Sequence, residues 1–94
     1  MNNYFESVVE SLTIDDLRVL GVLSDNEAEV KFKAITKKML NEMSELSTAN
    51  FRKSIYRLEI AKFINIVIGQ KDHRVYITEF GQRALFTSLS EEVI

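Results

Sequence analysis

The stretch from Ser47 to Ile64, STANFRKSIYRLEIAKFI, decides how the rest of the chain is read. Taken as a helix, it separates into two faces. Phe51, Ile55 and Leu58 recur at i, i+4 and i+7 and share one apolar stripe. Ser54 lies beside that stripe and is small enough to be buried. Ala49, Lys53 and Tyr56 point the opposite way, with Asn50, Arg52 and Arg57 on the flanks. Ser47 suits the N-cap, because its hydroxyl accepts from a free N–H of the first turn. Such a rod has one greasy side that a core can hold, and another that carries three cations, an amide and a phenol. That combination suits a helix docked on a domain and pushed into a nucleic-acid groove. The competing account is a surface helix with ordinary solvated charges, so the remainder of the chain has to arbitrate.

A chain of 94 residues builds one small domain. With 46% hydrophobic and 28% charged residues it reads as soluble and globular. No apolar run approaches the ~20 residues of a membrane span, so no membrane partner is expected. The opening MNNYFESVVESL carries two acids and no Lys or Arg, unlike a signal peptide. The absence of Cys excludes disulfides and thiolate metal sites, which is compatible with a reducing cytoplasm, the expected location. Without Pro, the turns are expected to fall to Gly, Asn, Asp or Ser. The net charge of −2 hides a segregation. From Lys31 to Arg74 there are ten Lys/Arg and four Asp/Glu, a local +6, against two Arg and ten acids elsewhere, a local −8. A basic middle between acidic ends can still present a positive face.

Along the chain, residues 2–12 read as a helix with Tyr4, Phe5, Val8, Val9 and Leu12 on one side. It either packs on its own core or forms an arm against a second copy, and the second is favoured because so small a domain has little core to spare. Thr13 opens the next helix, with Asp16 three residues on in the manner of a capping box and Asp15 and Asp16 at the positive end of the dipole. Ile14, Leu17, Val19, Leu20 and Leu23 supply its buried face, and Ser24-Asp25-Asn26 stops it. EVKFK at 29–33 alternates like a short half-buried strand with Val30 and Phe32 inward. Residues 34–43 read as a helix with Ile35, Met39, Leu40 and Met43 inward, followed by a turn over 41–46. Ile64, Ile66 and Ile68 then alternate as a strand, 69–74 form a polar hairpin loop, and Val75 to Ile77 return. Thr78 caps a last helix ending near Leu89, with Phe80, Ala84, Leu85 and Leu89 apolar, before an acidic tail.

This order resembles the winged helix-turn-helix DNA-binding domain, especially the small bacterial regulators of the MarR and PadR type. Two stretches carry the resemblance over roughly residues 13–89. STANFRKSIYRLEIAKFI is similar to that family's recognition helix and its R-L-E-x-x-G-L-V exit, through Arg57-Leu58-Glu59 and Phe63-Ile64. YITEFGQRAL is similar to its L-T-x-x-G-x-x-x-L, through Ile77, Thr78, Gly81 and Leu85. The family's exit Gly is Lys62 here. Either Lys62 adopts a left-handed conformation at ~1 kcal/mol, or the helix runs on and the wing is aimed differently. The resemblance implies an α+β, mainly helical fold. It comprises an N-terminal arm (1–12), a helical core (13–63) with recognition helix 47–61, an antiparallel hairpin wing (64–78), and a C-terminal helix and tail (79–94).

Catalytic chemistry finds no support. One His and no Cys leave no nucleophile pair and no metal cluster, and the three glycines are isolated rather than forming a phosphate loop. No cofactor is expected. DNA contact is the better fit. Thr48, Asn50, Arg52 and Lys53, near the start of the helix, are the candidate base readers, since Asn pairs with adenine and Arg or Lys with guanine. Tyr56 and Arg57 lie farther along and are assigned to phosphate or sugar. Lys37 and Lys38 on the preceding helix are candidates for the backbone, and Lys71, His73 and Arg74 for the wing. Tyr4, Phe5, Val8, Leu85 and Leu89 are the candidate dimer contacts. The expected function is a dimeric, sequence-specific double-stranded DNA-binding protein, a transcriptional regulator of bacterial, phage or plasmid origin. A plasmid or phage centromere- or origin-binding protein of the same fold is the close variant, and a protein–protein adaptor is the rival class. Any small-molecule effector is unspecified.

Overall fold

Four helices start where a hydroxyl can cap them. Thr13 Oγ1 accepts from the Asp16 N–H at 3.1 Å while the Asp16 carboxylate accepts from the Thr13 N–H at 3.0 Å, completing the capping box of α2 (Ile14–Asp25). Thr36 accepts from the Met39 N–H and opens α3 (Lys37–Ser44), and Ser47 accepts from the Asn50 N–H and opens α4 (Thr48–Ile60). Thr78 accepts from the Gly81 N–H at 2.9 Å and opens α5 (Glu79–Glu92). The shorter α1 (Tyr4–Glu10) precedes them, and strands β1 (Ile35–Thr36), β2 (Ile64–Ile68) and β3 (His73–Ile77) form an antiparallel sheet in the order β1-β3-β2. The computed structural model describes residues 4–69 and 71–92. Asn2 and Asn3 of the expected first helix, Gln70 of the hairpin loop, and Val93 and Ile94 of the tail lie outside the described residues.

The helix exits correct one expectation. The turns are not left to Gly, Asn, Asp or Ser: Glu27, Glu45 and Lys62 occupy the left-handed region at φ 55°, 57° and 69°. At Lys62, the Phe63 N–H donates to the Leu58 carbonyl at 2.9 Å and the Lys62 N–H to the Glu59 carbonyl at 3.0 Å. This is the double bond of a Schellman stop, closed by the buried pair Leu58 and Phe63. Of the two alternatives for Lys62, the molecule takes the strained one, and α4 ends where the family pattern ends it. The hairpin is then seated by Thr78, whose hydroxyl donates to the Lys62 carbonyl at 2.7 Å and whose N–H donates to the Phe63 carbonyl at 2.9 Å. Gly81 faces the same junction. A Cβ there would lie 2.1 Å from the Phe63 carbonyl oxygen and 2.9 Å from an Ile77 side-chain carbon.

Residues 29–33 do not form the expected strand. The Ala28 carbonyl accepts from the Ile77 N–H at 2.8 Å, and Ile35 pairs with Val75. Seven steps of chain from 28 to 35 thus meet only two steps of partner from 77 to 75. The surplus loops out and coils into a 3₁₀ turn, Lys31–Lys33, which leaves Phe32 84% exposed instead of inward. The helix expected over 34–43 starts only at Lys37 and turns Leu40 and Ser44 to the core. The neighbouring stripe of Met39 and Met43 is therefore exposed, as is Ile14 on α2. His73 and Arg74 belong to β3, opposite Ile68 and Val67, rather than to the hairpin tip.

The core gathers Val19, Leu20 and Leu23 of α2, Leu40 of α3, Phe51, Ile55 and Leu58 of α4, and Ile64, Val75 and Ile77 of the sheet. The first helix contributes to it as well. Phe5 packs against Phe80 at 4.8 Å and Phe63 at 6.4 Å between ring centroids, with the Arg83 guanidinium 5.4 Å from its ring. Val8 packs on the same core, and Leu85 is buried in it. These three, expected at a dimer contact, also pack within the chain: α1 covers Phe63 and Phe80 through Phe5, and Phe5 and Val8 stay half-buried. Tyr4 and Leu89 are exposed, and so is Phe86.

Candidate nucleic-acid interface

The rotation of α4 about its axis follows from what it buries. Phe51, Ser54, Ile55 and Leu58 face inward, so Thr48, Ala49, Asn50, Arg52, Lys53 and Tyr56 face out and are exposed. Among the described residues, the side chains of Thr48, Asn50, Arg52 and Lys53 hold no hydrogen bond or ion pair. The first two turns of α4 thus offer one amide, one hydroxyl and two cations with unspent donors. Beside them runs an open groove of about 460 Å³ between α3, α4 and β2. Phe51, Ile55 and Ile66 form its apolar floor, Lys37, Lys38 and Arg52 bring positive charge, and Glu59 is the acid on its wall. The Lys37 and Lys38 side chains carry no partner among the described residues either.

Arg57 departs from this pattern. Its Nη2 donates to Asp16 Oδ1 at 2.7 Å and its Nε to Asp16 Oδ2 at 3.2 Å. The same Nη2 lies 3.2 Å from Ser54 Oγ and 3.4 Å from Thr13 Oγ1. The Asp16 side chain is 1% exposed and that of Arg57 is 44% exposed. Burial pushes the Asp16 carboxyl up. The Arg57 hydrogen bonds, the Thr13 N–H, Ser54 and the guanidinium charge together outweigh burial and hold it below the usual carboxylate range. The Asp16 carboxylate in turn raises the Arg57 guanidinium. Arg57, expected at phosphate or sugar, thus spends Nε and Nη2 on groups inside the chain while 44% of its side chain stays exposed. Asp16 was read only as a capping and dipole residue. The signal for more was its place in the stripe of Val19, Leu20 and Leu23, where an acid needs a partner.

On the hairpin, Lys71, His73 and Arg74 are exposed. Arg74 lies 3.5 Å from the Asp72 carboxylate, an exposed pair that dilutes the positive charge of the tip. Across the strands, the Asn65 side-chain amide donates to the Tyr76 hydroxyl at 2.9 Å, stiffening the ladder beneath it. The structure thus brings Lys37, Lys38, Thr48, Arg52 and Tyr56 together around one groove and leaves Asn50 and Lys53 exposed farther round α4. It sets Lys71, His73 and Arg74 on a separate hairpin projection.

Comparison with known proteins follows the same line. The chain is 49% identical over 85 residues to the DNA-binding protein TubR of Priestia megaterium, covering 90% of this chain and 84% of that one. It superposes on the solved structure of TubR from Bacillus megaterium pBM400 with a TM-score of 0.88 and 46% identity, over 94% of this chain and 98% of that chain. A MarR-family transcriptional regulator from Silicibacter pomeroyi matches with a TM-score of 0.73 at 14% identity, over 92% of this chain and 60% of that chain, and so shares the fold. No family model matches the sequence.

Proposed function

The chain belongs to the TubR family of DNA-binding proteins, and from that membership we propose that it binds double-stranded DNA sequence-specifically as a symmetric dimer in the cytoplasm. The first two turns of α4 enter the major groove, where Thr48, Asn50, Arg52 and Lys53 read base edges. Tyr56, Lys37 and Lys38 meet the backbone, and Lys71, His73 and Arg74 follow the neighbouring strand from the hairpin. The observation that carries this reading is the unpartnered polar and cationic surface on a helix whose opposite side is locked into the core. A dimer that places two copies of α4 ~34 Å apart would span one turn of B-DNA and read an inverted repeat. The exposed apolar side chains Tyr4, Phe86 and Leu89 support an association through α1 and α5.

Promoter control and binding to a plasmid or phage centromere or origin both use such an interface. The second fits the likeness to TubR, which at 46% identity runs over 94% of this chain and 98% of that chain. Titration with duplex DNA at several salt concentrations tests the reading against a protein–protein adaptor. A binder loses affinity with a log–log slope of about −0.9 for each phosphate contacted, whereas an adaptor binds weakly and only at low salt. At a site selected from a random duplex pool, Arg52→Ala should cost about 1–3 kcal/mol and relax the preference at one base position. Unchanged affinity would remove α4 from the major groove.

A further inference from the structure

We propose that Asp16 is a positioning residue for DNA discrimination: it withholds the charge of Arg57 from the duplex and fixes the rotation of α4 through it. The proposal rests on the DNA-binding reading. The two residues lie 41 positions apart, one at the start of α2 and the other in the last turn of α4, and they meet through two hydrogen bonds of 3.2 and 2.7 Å. The carboxylate also accepts from the Thr13 N–H at 3.0 Å, so its lone pairs are directed at groups inside the chain. An apolar pair of similar volume would attach α4 to α2 about as firmly. What a planar, two-point contact between guanidinium and carboxylate adds is direction, since it resists rotation of the helix about its axis. It also removes a cation from the sequence-independent attraction to phosphate, which otherwise raises affinity for every duplex alike. The base readers Asn50, Arg52 and Lys53 then contribute a larger share of binding.

The test compares the parent with Asp16→Asn and Arg57→Gln, using a random-sequence duplex and the preferred duplex selected from a pool, each over a salt series. The isosteric Asp16→Asn change leaves the Arg57 charge unneutralised. The salt slope on random duplex should steepen by about 0.9 for each Arg57 that now meets a phosphate, and the ratio of preferred to random affinity should fall. Arg57→Gln should leave the parent slope as it is, because Arg57 releases no counterion. A role confined to stability would weaken both duplexes without steepening either slope. A folded Asp16→Asn protein with the parent slope, or an Arg57→Gln protein with a flatter one, would overturn the proposal. If Asp16→Asn does not fold, the Arg57→Gln slope decides by itself. A parent with no salt-dependent binding would instead remove the DNA reading, and this proposal with it.

Discussion

The two halves of α4 carry the same kinds of side chain and meet opposite fates. In the first half, Arg52 and Lys53 stand exposed with no partner among the described residues. In the second, Arg57 is bound to a buried carboxylate, Lys62 closes the helix in a left-handed conformation, and the Lys62 and Phe63 carbonyls are held by Thr78. One end is presented and the other anchored. A cation on an outward flank can therefore already hold a partner inside the fold, as Arg57 does and Arg52 and Lys53 do not among the described residues.

The sharpest way to break this comparison is to truncate the anchor. Leu58→Ala removes a side chain with no exposed surface and should cost about 2–5 kcal/mol. Lys53→Ala on the presented half should stay within about 0.5 kcal/mol. Chemical denaturation of the two variants would show equal effects if the facing of α4 were wrong. Gly81→Ala acts on the junction behind the anchor. Its Cβ meets backbone rather than a side chain that can swing away, so a loss of about 1–3 kcal/mol is expected in the same measurement. Lys62→Gly sharpens the comparison from the other direction. It relieves the left-handed strain and should raise stability by up to about 1 kcal/mol, whereas a lower melting temperature would show that the Lys62 side chain itself matters.

The smallest effect is confined to acid. The Asp16 carboxyl is depressed in the folded state, so its contribution to stability is present above the unfolded value of about 3.9 and disappears as pH falls through the lower folded value. Asp16→Asn should therefore flatten the loss of stability between pH 4 and the acid limit. Parallel acid-unfolding curves for parent and variant would place the titration elsewhere.

Much of the fold was legible before any coordinates. The caps at Thr13, Ser47 and Thr78, the inward stripe of α4 and the hairpin strands depend on neighbours within a few positions, and local chemistry specifies them. The short β1 was misplaced because its register is set by Ala28 and Val75, which no local pattern reveals. For α1, amphipathicity named a face to be covered but not the Phe63 and Phe80 rings that pack on it. At the candidate site the presented residues of α4 were found by periodicity, while the Arg57–Asp16 pair was missed because its members lie 41 positions apart.

By itself the sequence determined the order of helices and strands, the two-faced character of α4 and the basic middle of the chain, since each follows from spacing, capping chemistry or composition. Only the tertiary structure decided which cations remain available, which aromatic groups the core consumes, and that Lys62 stops α4 without a glycine. Those outcomes depend on contacts between distant segments, where the burial of one group is set by the position of another.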